Sequence, residues 1–292
     1  MTNISKNLRE KLKEDFSMYK IKLLIKQQGE NVNKYLFELE DGNKIETVLM
    51  FHDYGTSICV SSQVGCKMNC LFCMTGKQGF QRNLTPAEIL NQILASPHSE
   101  ELTNIVFMGM GEPTDNLDAV LKVIEILTSA WGMAWSPKRI TLSTVGIRKG
   151  MKRFLDESKC HLAVSLHAPD GRRARYMPAE KAFPISDMID MLRDYDFSHQ
   201  RRLSFEYIML RGVNDSKDDA VKLAELLKGI DCRVNLIRYH AIPGISLQSS
   251  SDATIEQFRD ELNAKGVTAT IRASRGEDVS AACGMLASQK GK

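Results

Sequence analysis

Apolar strand segments alternate with amphipathic helical segments along most of this chain, and that alternation constrains its fold more than any other feature. Strand signals occur at 57–62, 104–109, 139–145, 161–167, 202–208, 233–238 and 268–274. Helical patterns occur near 84–96, 116–130, 147–157, 186–197, 216–229 and 253–265, and a last helix is predicted at about 277–288. Repeated βα units form a parallel sheet, and seven strands approach a partial or full barrel. We therefore expect an α/β fold with a partial (β/α) barrel.

A different pattern precedes the barrel. Residues 5–16 are typical of a short charged helix, and alternating apolar residues with an Asp41-Gly42 turn predict an antiparallel β meander over about 18–52. We expect two parts, with the N-terminal helix and meander in 1–52 and the barrel with its C-terminal helix in 53–292.

Composition describes an ordinary globular protein, with 43% hydrophobic and 26% charged residues. The net charge of +3 permits a nucleic-acid partner but does not argue for one. No apolar signal-peptide region and no apolar run of about 18 residues is visible in the sequence, so we expect a cytoplasmic protein without a membrane span. In that compartment, clustered cysteines more often bind metal or do chemistry than form disulfides.

Three cysteines, Cys66, Cys70 and Cys73, follow the first predicted barrel strand with the spacing C-x3-C-x2-C. Structural zinc usually takes four ligands in two close pairs, and a second pair is missing here. Three thiolates suit a 4Fe–4S cluster whose fourth iron is left free. This loop resembles that of the radical S-adenosylmethionine (SAM) superfamily. A zinc-stabilised RNA-binding module without catalysis is the alternative.

Polar motifs end the next predicted strands, and the carboxyl ends of parallel strands share one edge where ligands bind. Gly109–Pro113 (GMGEP) resembles the superfamily's GEP motif, which contacts the amino group of the cofactor. Ser143 and the Ser165–His167 segment end the following two strands. Residues 170–176 (DGRRARY) are either a solvated loop or a phosphate-binding patch for RNA.

Seven motifs together resemble the RlmN/Cfr family of radical SAM RNA methyltransferases, in order, from about Glu46 to Leu286. They are CVSSQVGCKMNCLFCMTGKQGFQRNLTPAEI, MGMGEP, LSTVGI, VSLHAP, YIMLRGVND, VNLIRYHAIPG and RASRGEDVSAACG. The SRGED segment and the proline of MGMGEP are more similar to the adenine-C2 (RlmN) branch. The resemblance implies methylation of an RNA adenine, at C2 of a 23S rRNA adenosine and possibly in tRNA. Methylation at C8 or of another RNA is the alternative.

The resemblance also implies roles for individual residues. Cys283 would carry the methyl group, Cys59 would close a transient disulfide with it, and Glu46 would take a proton. The metal ligands would be Cys66, Cys70 and Cys73. The expected cofactor contacts are Gly111, Glu112, Ser143, Ser165, Leu166, His167 and His240, although the family usually has asparagine at the position of His240. From the residues alone, Cys283 would be a buried small apolar side chain, like Cys160 and Cys232.

The implied cofactors are a 4Fe–4S cluster and S-adenosylmethionine. The implied partners are RNA and an electron donor such as flavodoxin or ferredoxin, and we expect a monomer. Relatives carry a longer N-terminal helical domain for RNA binding, whereas 45 residues precede Glu46 here. Either the lysines and short helix of this segment do part of that work, or the substrate differs from that of the relatives.

Overall fold

A single ten-stranded mixed sheet organises the computed structural model, which describes residues 4–15, 20–198, 202–274, 276 and 278–286. The strands of this sheet, with a separate two-stranded hairpin β5–β6, are β1 (Lys22–Gly29), β2 (Val32–Glu38), β3 (Lys44–His52), β4 (Gly55–Cys59), β5 (Gln63–Gly65), β6 (Phe80–Asn83), β7 (Leu102–Phe107), β8 (Ile140–Thr144), β9 (His161–Ser165), β10 (Leu203–Met209), β11 (Arg233–Arg238) and β12 (Thr268–Ile271). The helices are α1 (Lys6–Asp15), α2 (Met74–Gln78), α3 (Pro86–Leu94), α4 (Leu117–Thr128), α5 (Arg148–Glu157), α6 (Ile185–Arg193), α7 (Lys217–Leu227) and α8 (Asp252–Ala264).

The strand order is β1-β2-β3-β4-β7-β8-β9-β10-β11-β12, and every neighbour from β4 onward is parallel. Consecutive strands are therefore spatial neighbours, as in a barrel that grows by one βα unit at a time. Within the described ranges, β1 and β12 remain the two edges, so the barrel is partial. The predicted α/β fold class is confirmed.

The predicted meander is present as β1–β3, and β3 pairs antiparallel with β4, so the meander and barrel share one sheet. Val48 of β3 lies opposite Lys34 on one side and Cys59 on the other. Side chains that are directly opposite point to the same face of a sheet. Lys34, Val48 and Cys59 therefore form a row across three strands. The division of the chain at residue 52 stays a prediction.

Helix α3 begins as its sequence predicts. Thr85 is the N-cap, its hydroxyl accepts the N–H of Glu88, and the Glu88 carboxylate accepts the N–H of Thr85. This capping box satisfies two backbone donors that the first turn leaves without helical partners. The segment that connects the cysteine loop to α3 therefore ends at the Thr85 N-cap.

The predicted helix at 277–288 is not found in its described part. Residues 278–286 form turns, and Gly276, Ser280 and Gly284 adopt positive φ angles of 76°, 50° and 82°. A right-handed helix cannot pass through left-handed backbone, so three such positions exclude it. Within the described segments, no helix combines the length and apolar character needed to cross a membrane.

Candidate active site

A cleft with a cavity volume of about 140 Å³ opens at the carboxyl ends of the parallel strands. Loops from distant parts of the chain form its walls, because each βα unit delivers one loop to this edge. The predicted site residues that line it are Cys66, Cys70, Cys73, Gly111, Glu112, Ser143, Ser165, His167 and Cys283. The fold therefore gathers nine predicted residues that span more than two hundred positions of sequence.

The three-cysteine loop is held in shape by the backbone of the chain itself. The N–H of Cys66 donates to Gly79 O at 3.1 Å, and that of Leu71 donates to Tyr176 O at 2.8 Å. Cys73 is the residue at which helix α2 begins. All seven cysteines of the chain lie in its described part, and all are free thiols.

The thiols of Cys66, Cys70 and Cys73 fit a cluster better than a single metal ion. Among the described residues, no three His, Cys, Asp or Glu side chains converge tightly enough to hold one ion. A cubane places its irons at separate corners, so its cysteine ligands are spread more widely than those of one zinc ion. Three free thiols on one wall of a cleft fit the cluster and leave space beside it for a ligand.

Glu112 is buried, and it accepts hydrogen bonds from residues at the ends of two neighbouring strands. Oε1 accepts the hydroxyl of Thr144 at 2.7 Å and the N–H and hydroxyl of Thr114 at 3.0 and 2.5 Å, while Oε2 accepts the N–H of Val145 at 2.9 Å. Burial raises the pKa of this carboxyl, and the hydrogen bonds oppose that rise. The side chain is thus oriented before any ligand arrives, with Oε2 the less occupied oxygen.

Gly111 is required by the chain's own packing. Its φ is 100°, and a Cβ there would lie 2.5 Å from Cβ of Gln63. Gln63 in turn accepts the N–H of Glu112 at 2.8 Å. The glycine therefore permits a close approach of Gln63, which sequence reasoning did not identify as part of the site.

His167 offers the cleft a neutral hydrogen-bond donor. Its Nδ1 accepts the N–H of Ile208 at 3.0 Å, which leaves the ring proton on Nε2. Burial, with a contribution from the nearby Arg173, lowers the pKa of His167 to about 3. The ring also packs edge-on against Phe72 of the cysteine loop, at 4.8 Å between centroids.

Two of the predicted cofactor contacts lie outside the walls of the cleft. Leu166 is fully buried, and its carbonyl accepts from Arg173 at 3.0 Å. His240 lies in a neighbouring depression beside Met285, where its Nε2 is 3.3 Å from the hydroxyl of Ser274. Only the backbone of Leu166 is therefore close to the wall, and His240 is placed at the rim.

The arginine-rich loop is neither a solvated loop nor an open phosphate patch. Arg173 is fully buried and donates to Val145 O, Ser165 O and Glu180 at 2.6, 2.8 and 2.8 Å. Arg172 is engaged by the carboxylates of Asp170 and Asp219. Of the three arginines, Arg175 is the exposed one. The loop's main role is to fix the strand ends behind the cleft.

Cys59 and Cys283 reach the same region from opposite ends of the chain. Cys59 is buried at the end of β4, and Cys283 faces the open cleft from the 278–286 loop. Burial raises the pKa of Cys59 to about 12, and the nearby Cys283 adds to the rise, whereas Arg272 opposes it. Cys283 itself is exposed, but the loss of water around its sulfur within the cleft still raises the pKa of this thiol, and Arg272 again opposes the rise.

Arg272 and Glu206 complete this part of the wall, and sequence reasoning missed both in this role. Their side chains form an ion pair at 3.1 Å, and Asn235 donates to Glu206 at 2.8 Å. An arginine fixed in this way supplies positive charge beside two sulfurs. The sequence placed Glu206 within a predicted strand and Arg272 near the end of another. Such a position does not distinguish a residue of the site from an ordinary residue of the core.

Glu46 lies deeper than the cleft and does not line it. It is buried in β3, where Oε1 forms an ion pair with Nζ of Lys34 at 3.1 Å. Since Val48 is opposite Cys59, Glu46 is a diagonal neighbour of Cys59 on the same face, at the roughly 7–8 Å typical of such pairs. The side chain belongs to the interior on the Cys59 side of the sheet.

The barrel, the three-cysteine loop and the buried GEP glutamate together define a radical SAM enzyme. Residues 60–227 match the family model of the Radical SAM superfamily. The fold of a radical SAM methyltransferase from Sphaerobacter thermophilus superposes with a TM-score of 0.93 at 41% identity, over 99% of this chain and 87% of that one.

Comparison with curated relatives identifies one family among the radical SAM enzymes. The chain is 58% identical to a probable dual-specificity RNA methyltransferase RlmN of Parabacteroides distasonis, over 99% of this chain and 85% of the relative. It is 44% identical to the dual-specificity RNA methyltransferase RlmN of Desulfosudis oleivorans, over 98% of this chain and 79% of the relative. The chain belongs to the RlmN family of radical SAM RNA methyltransferases. Membership implies a 4Fe–4S cluster and S-adenosylmethionine as its cofactors.

Proposed function

We propose that this enzyme methylates C2 of an adenine in RNA, in 23S rRNA and in tRNA, with Cys283 as the carrier of the methyl group. The observation that carries the proposal is that Cys283 and Arg272 line the same cleft as the three-cysteine loop, with Cys59 near enough for both to influence its pKa. The relatives' names, dual-specificity RNA methyltransferases, support an RNA substrate of two kinds. Arginine-rich segments of this chain do not by themselves identify the RNA.

Cys66, Cys70 and Cys73 hold the cluster, which when bound supplies the electron for radical chemistry on S-adenosylmethionine. Glu112 Oε2 accepts from the amino group of the methionine moiety, and the Nε2–H of His167 donates to an acceptor on the ligand. Ser143 and Ser165 line the same wall. These groups orient the ligand, and the apolar side chains between them exclude water.

The sulfur atoms of Cys283 and Cys59 then carry and release the transferred methyl carbon. Cys283 Sγ accepts a methyl group. A hydrogen atom of that methyl would be removed by the radical chemistry that the cofactors supply, and the remaining carbon would bond to adenine C2 while still attached to sulfur. The adduct would then lose one electron, which returns to the cluster, and the proton on C2. Cys59 attacks Cys283 Sγ as a thiolate, so that a sulfur–sulfur bond forms and the sulfur–carbon bond breaks. The released electron pair stays on the carbon, which takes a proton to complete the methyl group. A thiol reductant restores both cysteines, and Glu46 accepts the proton lost from the adenine carbon.

Arg272 supports the attack because it lowers the pKa of both thiols against the effect of burial. Only the thiolate is nucleophilic, so a neighbouring cation increases the reactive fraction. The physiological electron donor is proposed to be a flavodoxin or ferredoxin, and the working form a monomer.

The test is reconstitution of the cluster without oxygen, followed by incubation with S-adenosylmethionine, reductant and 23S rRNA or tRNA transcripts. Digested RNA should contain 2-methyladenosine, which chromatography separates from the C8 isomer. Deoxyadenosine without methyladenosine would contradict the RNA assignment, and 8-methyladenosine would contradict the C2 assignment.

Cys283→Ala should abolish methylation while the iron content and visible absorbance of the cluster remain. Cys59→Ala should instead trap the RNA on the protein, because the carbon–sulfur bond to Cys283 can no longer be broken. A Cys59→Ala protein that turns over normally and leaves no bound RNA would contradict the proposed role of Cys59.

A further inference from the structure

The segment that carries Cys283 contains turns and no helix or strand, so specific contacts decide where its sulfur lies. Beyond Cys283, Gly284 O accepts the N–H of Met74 at 2.8 Å, and Leu286 O accepts the hydroxyl of Thr75 at 2.7 Å. Both donors belong to α2, directly after the three-cysteine loop. One side of Cys283 is thus attached to the cysteine loop.

The other side of Cys283 is attached to the meander. Asp278 accepts the N–H of Glu30, in the β1–β2 turn, at 3.1 Å. Two residues further along, Ser280 O accepts from Nζ of Lys34 at 3.4 Å. This hydrogen bond from Lys34 lies three residues before Cys283, and Ala281 between them packs against the hydrophobic core.

A buried lysine such as Lys34 is an unusual donor for a hydrogen bond to the Ser280 carbonyl. Its side chain and that of Glu46, to which it is paired at 3.1 Å, are 6% and 3% exposed. Burying two charges carries a desolvation cost that their attraction does not reliably recover, so this pair is not explained by stability alone. An ammonium has three donors in a compact head, so one can bond Glu46 while another bonds Ser280 O. The pairing with Glu46 fixes the direction in which Lys34 points.

We infer that Lys34 is a positioning residue that, oriented by Glu46 and acting through the carbonyl of Ser280, sets the place of Cys283 in the cleft. The inference rests on the proposed function, because it concerns the carrier role of Cys283. Carbon transfer between a sulfur and a base requires close alignment, and a misplacement of about 1 Å can cost on the order of 10²-fold in rate. Lys34 does not touch the cleft, so the binding of S-adenosylmethionine and the generation of deoxyadenosine do not depend on it.

The experiment compares Lys34→Met with wild type in the reconstituted holoenzyme. We expect deoxyadenosine formation to stay within about twofold of wild type, while methyladenosine formed per deoxyadenosine falls roughly ten- to a hundredfold. Amide exchange should be several-fold faster in peptides that cover 278–286 and Met74, and unchanged in β10. Lys22→Met removes an exposed lysine from the same meander and should behave as wild type.

Two further variants distinguish a loss of positioning from a failure to fold. Lys34→Met/Glu46→Gln leaves no buried unpaired charge, so it should fold even where the single variant does not, and it should show the same faster exchange. Lys34→Arg retains donors and should recover most of the ratio of methyladenosine to deoxyadenosine. Wild-type exchange in 278–286 for the double variant, or an unchanged product ratio for Lys34→Met, would overturn the inference.

The exchange measurement requires no RNA. A wild-type protein that forms deoxyadenosine but no methyladenosine would therefore refute the proposed function, while the exchange rates in 278–286 would still decide whether Lys34 positions this loop.

Discussion

A single arginine side chain joins the ends of two strands behind the cleft. Arg173 bonds the carbonyls of Val145, Ser165 and Leu166, and its charge is neutralised by Glu180. Those carbonyls belong to or flank segments that carry Ser143 and His167, so Arg173 sets the spacing of these two cleft residues without lining the cleft itself. An arginine can do this because its planar head carries five donors in a fixed geometry.

Arg173→Met should therefore destabilise the protein strongly, since it leaves Glu180 buried without its cation and removes one hydrogen-bond donor from each of three carbonyls. We expect a loss of about 3–5 kcal/mol in the free energy of unfolding, measured by denaturant titration. Arg153→Met is the matched control, because its partners Asp118 and Glu157 are on the surface, and it should cost no more than about 1 kcal/mol. Similar costs for the two variants would contradict this account.

The neutral state of His167 predicts a pH dependence of stability. The folded pKa of about 3 lies below the ordinary value of 6.5, so the unfolded chain binds more protons between these two pH values. Stability contributed by this group is therefore complete above about pH 6.5 and is lost as pH falls, at up to about 1.4 kcal/mol per pH unit. In His167→Gln, the slope of unfolding free energy against pH should be smaller by up to that amount between pH 4 and 6. An unchanged slope would show that His167 already titrates normally.

At the scale of elements, the barrel units were predictable because hydrophobic periodicity and capping residues are local properties. Strands β7–β11 lie within two residues of their predicted limits at either end, and β9 ends two residues before its predicted limit, at Ser165. Helix α3 begins where Thr85, Pro86 and Glu88 predict. Local sequence was sufficient to predict an element wherever its hydrophobic periodicity and its capping residues indicated the same limits.

The loop at 278–286 was not predictable in this way. Its small and apolar residues satisfy a helical spacing, but its conformation is set by partners such as Lys34 and Met74, which are more than two hundred residues away. The same limit applies to Arg173, since nothing local distinguishes it from the exposed Arg175. Residue identities were enough to predict a site at Cys66, Cys70, Cys73 and Cys283, which the fold brings to one cleft. The residues that position these four cysteines depend on tertiary contacts.

Gly284→Ala tests the attachment of this loop to the cysteine loop. Gly284 has a φ of 82°, and an added Cβ would lie 2.9 Å from the backbone oxygen of Phe72. We expect the loop to shift and methyladenosine formation to fall about tenfold or more, with iron content retained. Gly266→Ala is the control, because its φ of 83° is similar but no atom lies within 4 Å of the added Cβ. It should cost about 1–2 kcal/mol of stability from backbone strain and leave methylation intact.

At the scale of the whole molecule, the cleft joins loops from β5 through the 278–286 segment, so its occupancy should stabilise the entire sheet. S-adenosylmethionine at 100 times its dissociation constant should raise the free energy of unfolding of the cluster-loaded enzyme by about 2.7 kcal/mol. Chelation of the iron should remove most of this increase, because the ligand then has only Glu112, His167 and the cleft walls. Equal stabilisation of the iron-free protein would contradict the assignment of Cys66, Cys70 and Cys73 as the residues that hold the cluster.

The two-sided attachment of the Cys283 loop has a consequence for biosynthesis. Translation delivers the meander before the barrel and this loop after it. A nascent chain can therefore assemble the three thiols of residues 66–73 well before any acceptor sulfur has docked beside them. Incomplete chains should consume S-adenosylmethionine without ever becoming covalently attached to a transcript.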